Sequence, residues 1–282
     1  MRPALSQRIE QPTARRAAPG SGRLQTRRTP VSQPRLIAHR GDIGRYPENT
    51  LEGLRAAAEA GAQGVELDVQ FSRDGEPVVI HDPDLRRIGG GREQVQALSL
   101  EQLRQRPAGE PERFGDRFRE VRLAGLAETA AALAAWPELT VFVEVKTDTL
   151  PRYRLPACVQ QVLAACAPLG KQLVLISYAD EVLQEARSLR AGLRTGRALH
   201  NLDAAERERC ELLRPDFVFC DIELLPAGTG APCWGGDWEW VVYEINEPEE
   251  ARRLHRQGFD WVETGDLRAL AAARDTPTPP TP

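Results

Sequence analysis

Long apolar runs are missing from this 282-residue sequence, and none approaches the ~18 residues that a membrane-spanning helix requires. We therefore expect no transmembrane segment. Cysteine is also scarce, and its count is odd, with no spacing typical of a metal site. The five cysteines stand at positions 158, 166, 210, 220 and 233. This pattern argues against a disulfide framework and predicts reduced thiols in a cytoplasmic protein.

Acidic residues are almost absent from the first 33 positions, which hold seven arginines and a single acid, Glu10. This stretch therefore has a charge of about +6. Since the whole sequence has a net charge of −4, the remaining residues have a charge of about −10. It has no apolar segment of the kind found in secretory signals. An Arg-rich, acid-poor composition also fits a transit peptide, but we interpret residues 1–33 as a disordered tail. Because the rest of the chain is acidic, we expect no nucleic-acid partner.

Strand-like apolar runs alternate with helical segments rich in Ala, Leu and Arg between this tail and a second predicted disordered tail, residues 271–282. Such alternation is typical of parallel βα units. The predicted strands cover 35–39, 65–71, 77–81, 140–146, 172–177, 193–199, 216–221, 239–245 and 260–264. The predicted helices cover 50–60, 125–136, 155–168, 180–190, 203–213 and 247–257.

Nine strands are one more than an eight-stranded barrel needs, and the connection between the second and third explains the excess. Only "SRDGE" joins them, and its Asp74-Gly75 pair is a strong hairpin signal. A parallel pair needs a crossover of about a dozen residues or more, so these two strands must be antiparallel. We therefore predict an α/β fold of the TIM (β/α)8-barrel type over residues 34–270, with an open doubly wound sheet as the alternative.

One connection, about residues 83–124, is much longer than the others. It contains three consecutive glycines and, after Pro83 at its start, two further prolines, and its only helical signal is "SLEQLRQ" at 99–105. Connections of this length are usually functional lids or inserted subdomains.

Polar residues stand at the ends of several predicted strands. His39 and Arg40 follow the apolar run Leu36-Ile37-Ala38, and His81 ends the hairpin. Arg is almost never fully buried without a partner, and such residues suit the mouth of an α/β barrel. A single His at a strand end is more often structural, which is also how we interpret the other two histidines, His200 and His255.

Alternation along two strands places charged residues on shared faces. In "GVELDVQ", Glu66 and Asp68 point to one side; they either face solvent or, inside a barrel, share a hard cation such as Mg²⁺ or Ca²⁺. In "VFVEVK", Glu144 and Lys146 form either a salt bridge or a metal ligand and a phosphate contact. Taken together, the strand ends offer two histidines for proton transfer, three carboxylates for a metal and two cations for an anion, most simply a phosphate.

These segments carry a resemblance to a known family. "AHRGDIGRYPENT", "GVELDVQFSRDGEPVVIHD" and "VFVEVK" resemble the motifs of glycerophosphodiester phosphodiesterases, and the similarity extends from about residue 35 to 268. The resemblance implies a TIM barrel with an insert after the second His. It also implies hydrolysis of a small-molecule glycerophosphodiester to glycerol 3-phosphate and an alcohol, with a divalent cation.

The resemblance also implies roles for individual residues. His39 and His81 are the expected acid–base pair, and Arg40 and Lys146 are expected to bind the phosphate. Glu48 is expected to support the first loop, and Asn49 or Thr50 to cap the helix. The expected metal ligands are Glu66, Asp68 and Glu144.

The sequence departs from the family pattern near the C-terminus. The usual Trp-Thr-Val-Asn is Tyr243-Glu244-Ile245-Asn246 here, and the usual Thr-Asp is Thr264-Gly265-Asp266. An inward Glu244 would favour substrates with a cationic head group, whereas an outward one would only be solvated. Two other functions stay open: a phospholipase D-type enzyme acting on lysophospholipids or sphingomyelin, and a barrel that binds phosphodiesters without turnover.

Overall fold

In the part of the chain that the structure describes, nine strands form one sheet, and eight of them close into a parallel barrel. The computed structural model describes residues 33–150, 154–225 and 234–274. The strands are β1 (Arg35–Ala38), β2 (Gly64–Phe71), β3 (Pro77–Val79), β4 (Thr140–Val145), β5 (Leu173–Ser177), β6 (Arg194–Ala198), β7 (Phe217–Asp221), β8 (Glu239–Tyr243) and β9 (Trp261–Thr264). Their order is β1-β9-β8-β7-β6-β5-β4-β2-β3, and β1 also pairs with β2.

The pairing of β1 on both sides closes the sheet. Its Ala38 lies opposite Thr264 of β9 and also opposite Val65 of β2, and both pairings are parallel. An open doubly wound sheet would leave its outer strands unpaired on one side, so this alternative is wrong and the barrel prediction is confirmed. Strand β3 lies outside the barrel and pairs antiparallel with β2, as the Asp74-Gly75 turn predicts.

The helices follow the predicted alternation. They are α1 (Leu51–Glu59), α2 (Leu100–Leu103), α3 (Pro111–Phe114), α4 (Leu126–Leu133), α5 (Leu155–Ala165), α6 (Asp180–Leu189), α7 (Ala204–Leu213), α8 (Pro248–Arg256) and α9 (Leu267–Arg274). Within the described ranges, no helix combines the length and the apolar character that crossing a bilayer requires.

The barrel domain continues further along the sequence than predicted. Residues 271–274 belong to α9 instead of a disordered tail, because Leu270 is buried and Ala271 packs against the core. The predicted tail residues 1–32 and 275–282 lie outside the described part of the chain. Gln33, the last residue of the predicted N-terminal tail, is described, and its side chain donates a hydrogen bond to the Arg274 carbonyl.

Aromatic side chains fill the interior of the barrel below its mouth. The ring of Phe142 makes edge-on contacts with the rings of Phe217, Phe219 and Trp261, at centroid distances of 5.2, 5.5 and 5.6 Å. Because side chains two positions apart share a face of a strand, Glu144 stands one layer above Phe142 at the carboxyl end of β4. The apolar floor therefore supports a ring of polar residues at the mouth.

The long connection between β3 and α4 forms a small subdomain with its own apolar cluster. Leu85, Ile88, Val95 and Leu103 from this insert pack with Val78 and Ile80 of the hairpin. The insert contains two α-helices, so the prediction of at most one is wrong. Pro111 favours a loop when the sequence is considered alone, but it is the first residue of α3. At that position the missing N–H of proline costs nothing, because the first N–H groups of a helix have no partner within the helix.

Candidate active site

A cavity of about 400 Å³ opens at the carboxyl ends of the barrel strands. Six of the seven residues that the sequence analysis selects line it: His39, Arg40, Glu66, His81, Glu144 and Lys146. The seventh, Asp68, is 1% exposed and forms ion pairs with both cations of this set. Residues from three separate sequence motifs thus meet at one site.

His39 lies between two carboxylates. Its Nδ1 is 2.6 Å from Glu244 Oε2, and its Nε2 is 3.7 Å from Glu263 Oε1. Burial lowers the pKa of His39, but the negative charge of Glu263 and the hydrogen bond to Glu244 outweigh burial, so the pKa is raised above its ordinary value. The surroundings therefore favour the protonated ring.

His81 has a carboxylate at the same ring position but a different electrostatic environment. Its Nδ1 is 2.7 Å from Asp82 Oδ1, which leaves Nε2 for the cavity. Burial lowers the pKa of His81, and the positive charges of Arg40 and Lys146 add to the effect, whereas Asp68 and Asp82 only partly oppose it. The neutral ring is therefore favoured here, in contrast to His39.

Asp68 holds the two cations of the site in place. Its Oδ2 lies 3.1 Å from Arg40 Nε and its Oδ1 lies 3.0 Å from Lys146 Nζ. Asn49 Nδ2 donates a further hydrogen bond to it at 2.9 Å. Burial raises the pKa of Asp68, but Lys146, Arg40 and the other favourable contacts hold it far below its ordinary value. Asp68 is therefore ionised, and it orients both cations toward the mouth.

Three carboxylates in and directly beneath the cavity fit a hard divalent cation. Glu66, Asp68 and Glu144 each offer an oxygen atom, and these atoms lie within 4.8 Å of one another. Glu66 is 2% exposed, and its Oε1 accepts no hydrogen bond in the described part of the chain. Burial, followed by the charges of the neighbouring carboxylates, raises its pKa well above the ordinary value. A buried, unsatisfied oxygen in this position is a suitable ligand for Mg²⁺ or Ca²⁺.

The loop after β1 is fixed by its own side chains. Thr50 caps α1, because its hydroxyl accepts a hydrogen bond from Gly53 N at 3.2 Å. Asn49 does not cap the helix but binds Asp68 instead. Glu48 is buried and pairs with Arg40 at 3.3 Å. The Pro-Glu-Asn-Thr segment therefore aligns Arg40 and Asp68 as well as starting the helix.

The two carboxylates that lie beside His39 are not placed in the site by the sequence analysis. Glu263 is 3% exposed and lies in the cavity; alternation with Trp261, which also points inward, could have indicated it. Glu244 also lines the cavity, and its contact with His39 lowers its pKa to about 2. Alternation with Val242, which packs outside the barrel, would point Glu244 outward, but β8 ends at Tyr243, so strand alternation does not apply to Glu244.

Comparison with known proteins agrees with this geometry. Residues 39–185, more than half of the chain, match the model of the glycerophosphoryl diester phosphodiesterase family. A glycerophosphodiester phosphodiesterase of Caldanaerobacter subterraneus subsp. tengcongensis is 28% identical over 243 residues, covering 83% of this chain and 95% of the relative. Glycerophosphodiester phosphodiesterase 1 of Rattus norvegicus is 39% identical over 158 residues, or 56% of this chain, and the match spans only 46% of the relative.

A solved structure extends the similarity to three dimensions. A phosphodiesterase of Oleispira antarctica, in complex with the product sn-glycerol-3-phosphate, is 25% identical, and the two share a TM-score of 0.75 over 86% of this chain and 98% of that one. The fold, the motifs and the matched residues all lead to the same assignment. The chain belongs to the glycerophosphoryl diester phosphodiesterase family, and it is a phosphoric diester hydrolase.

Proposed function

We propose that this cavity hydrolyses a glycerophosphodiester to glycerol 3-phosphate and an alcohol, with a divalent cation and two histidines. The observation that carries the proposal is the meeting of His39, His81, Arg40 and Lys146 in one cavity beside a carboxylate cluster. The Oleispira relative holds sn-glycerol-3-phosphate, which supports a substrate of this size and charge.

The two cations bind the phosphodiester. The guanidinium of Arg40 offers planar donors to phosphoryl oxygens, and the ammonium of Lys146 offers a mobile point charge. Both are already held by Asp68, so little side-chain freedom is lost when the anion arrives. Glu66, Asp68 and Glu144 would hold the divalent cation, which supplies further neutralisation of the charge that grows on the phosphoryl oxygens.

The histidines move the protons. A glycerol hydroxyl attacks phosphorus, and the neutral ring of His81 accepts its proton as the new P–O bond forms. The P–O bond to the alcohol breaks, and the protonated ring of His39 donates a proton to the departing oxygen. Water then opens the cyclic phosphate with the two roles exchanged, which yields glycerol 3-phosphate and restores both rings. The opposite pKa shifts of the two rings support these starting roles.

Purified protein tests the proposal directly. Glycerophosphocholine, glycerophosphoethanolamine, glycerophosphoglycerol and a lysophospholipid are each incubated with and without Mg²⁺, Ca²⁺ or Mn²⁺. Release of glycerol 3-phosphate is measured for the glycerophosphodiesters, and release of the head-group alcohol is measured for the lysophospholipid. We expect metal-supported release from the glycerophosphodiesters. Turnover of the lysophospholipid alone would identify the phospholipase D-type alternative, and binding without turnover of any substrate would identify a non-catalytic barrel.

We also infer a reducing compartment, the cytoplasm. Three cysteines of the described ranges, Cys158, Cys166 and Cys210, are buried free thiols. Burial raises the pKa of Cys166 to about 12 and that of Cys210 to about 11, which disfavours the reactive thiolate. These thiols serve packing, and they need no oxidising environment.

The inward position of Glu244 leads to a prediction about the alcohol. Its side chain is 34% exposed at the mouth and adds negative charge near the substrate. Glu244→Thr should reduce kcat/KM for choline and ethanolamine substrates by ~2- to 5-fold more than for the glycerol substrate, the size of a half-exposed charge contact. The quantity to measure is the ratio of kcat/KM for the choline or ethanolamine substrate to kcat/KM for the glycerol substrate. An effect of the substitution through His39 would change kcat/KM for every substrate equally, so it cancels in this ratio.

A matched variant on the same loop controls for the substitution. Glu247→Thr removes an exposed carboxylate three residues away that does not line the cavity, so the ratio should stay at the wild-type value. If Glu244→Thr leaves the substrate ranking unchanged, Glu244 does not select the head group.

A further inference from the structure

Arg87 connects the insert to the active site through two carboxylates. It follows β3 by eight residues and belongs to the segment between β3 and α4. Its Nε donates to Asp82 Oδ2 at 2.8 Å, and its Nη2 donates to Asp82 Oδ1 at 3.1 Å. The same guanidinium donates to Glu48 twice, from Nη1 to Oε2 at 2.5 Å and from Nη2 to Oε1 at 2.7 Å.

Each of these carboxylates contacts a different functional side chain. Asp82 Oδ1 lies 2.7 Å from His81 Nδ1, and Glu48 Oε2 lies 3.3 Å from Arg40 Nη1. A continuous chain of contacts therefore runs from His81 through Asp82, Arg87 and Glu48 to Arg40. One end of this chain carries a proton-transfer group, and the other end carries a phosphate-binding group.

The remaining contacts anchor Arg87 within the insert. Glu110, which is buried, lies 3.7 Å from Arg87 Nη1 and pairs with Arg113 at 2.5 Å. Ile88, the next residue along the chain, is buried in the apolar cluster of the insert. The backbone of Arg87 is therefore held by the insert, while its guanidinium faces Asp82 and Glu48.

We propose that Arg87 is a positioning residue of the reaction: by holding Asp82 and Glu48 together, it fixes the ring of His81 relative to the guanidinium of Arg40. This proposal rests on the proposed function and adds a role for the insert, which supports the site by direct contact. Arg suits this role and Lys does not, because only the planar guanidinium binds two carboxylates with paired donors at once.

The expected consequences are catalytic more than structural. The Arg87 side chain is 42% exposed and its pair with Asp82 is partly solvated, so that pair contributes little to stability. The buried Glu48 keeps its ion pair with Arg40 when Arg87 is replaced. Asp82 selects the tautomer of His81 with a proton on Nδ1, as carboxylates do for other functional histidines. Without Arg87, Asp82 is free to turn away, and the ring loses both its orientation and its preferred tautomer.

Three variants of the full chain test the proposal: Arg87→Gln, Arg87→Lys and the control Arg104→Gln. Arg104 is an arginine of the same insert with a similar exposure, 44%, and its ion pair with Glu128 lies outside the cavity. We expect Arg87→Gln to lower kcat by about 10- to 100-fold, the usual effect of removing a supporting contact, with a smaller change in KM. Arg87→Lys should not restore kcat, and the control should match the wild type.

NMR spectra of labelled histidine rings report the tautomer of His81 in the absence of turnover. The chain has four histidines, and His81→Ala identifies the signal. In the wild type at high pH the Nδ1-protonated tautomer should dominate, and in Arg87→Gln the Nε2-protonated tautomer should increase. An unchanged tautomer together with an unchanged kcat overturns this role. A wild type that hydrolyses no glycerophosphodiester overturns the proposed function instead, and the NMR comparison still decides the role of Arg87.

Discussion

His81→Ala should reduce kcat by ~10²- to 10⁴-fold, the contribution of one positioned acid or base. His81 lies at the barrel mouth with its side chain 33% exposed, so the substitution removes little core packing. The melting temperature and the circular dichroism spectrum should therefore stay close to the wild-type values. His39→Ala should give a loss of the same order, and the double variant should lose little more than either single one if the rings act as a pair.

The control for this experiment is His200→Ala. His200 stacks on Tyr178 with ring centroids 4.8 Å apart but does not line the cavity, so its removal should leave kcat within a few-fold of the wild type. A folded His81→Ala protein with near-normal turnover would remove His81 from the mechanism.

The pH dependence of kcat/KM separates the two roles. The proposed mechanism requires His81 neutral and His39 protonated, so activity should rise with pH through the lowered pKa of His81 and fall through the raised pKa of His39. The rising limb of the pH profile should lie below pH 6.5, the ordinary pKa of histidine, and the falling limb should lie above it. Glu244→Thr removes a hydrogen bond that raises the pKa of His39, so only the upper limb should move, and toward lower pH. Movement of the lower limb would reverse the assignment.

Much of this site follows from the sequence because regular strands obey simple geometry. Alternation placed Glu66 and Asp68 on one face, and the hairpin signal at Asp74-Gly75 reduced nine strands to eight. The barrel then required the ends of all parallel strands to meet at one mouth. These steps use only local periodicity and the rules of strand pairing, so they needed no knowledge of side-chain contacts.

The parts that could not be predicted depend on contacts outside regular strands. Glu244 follows the last residue of β8, where alternation gives no orientation. Arg87 reaches Glu48 across 39 residues of sequence, through an insert whose course depends on its own apolar cluster. Neither contact leaves a periodic signal in the sequence, and both appear only when the chain is folded.

Removal of divalent cations by a chelator should abolish activity and lower the melting temperature, and added Mg²⁺ or Ca²⁺ should restore both. A cation that binds only the native state stabilises it by about 2.7 kcal/mol at a hundredfold excess over Kd. The physical reason is the repulsion among Glu66, Asp68 and Glu144, whose oxygens lie within 4.8 Å of one another.

The stabilisation by metal should also depend on pH, with a definite sign. The pKa values of Glu66 and Glu144 are raised by burial, and that of Glu263 is raised to about 7, so the metal-free native state binds more protons than the unfolded state. Its stability should therefore fall as pH rises from the ordinary carboxyl value of 4.5 to about 7. Metal binding needs ionised ligands, so the increase in melting temperature on adding Mg²⁺ should grow across the same window.

Glu144→Gln tests the ligand set, because the amide keeps the shape of the side chain and removes its charge. Metal affinity, measured by calorimetry, should fall by about tenfold or more. The melting temperature of the metal-free variant should stay close to that of the metal-free wild type, since the substitution removes both a source of repulsion and the ion pair of Glu144 with Lys146. Glu138→Gln, an exposed carboxylate away from the cavity, should change neither value. If the chelated wild type melts and turns over like the untreated protein, the three carboxylates do not form a metal site and the proposed metal dependence is wrong.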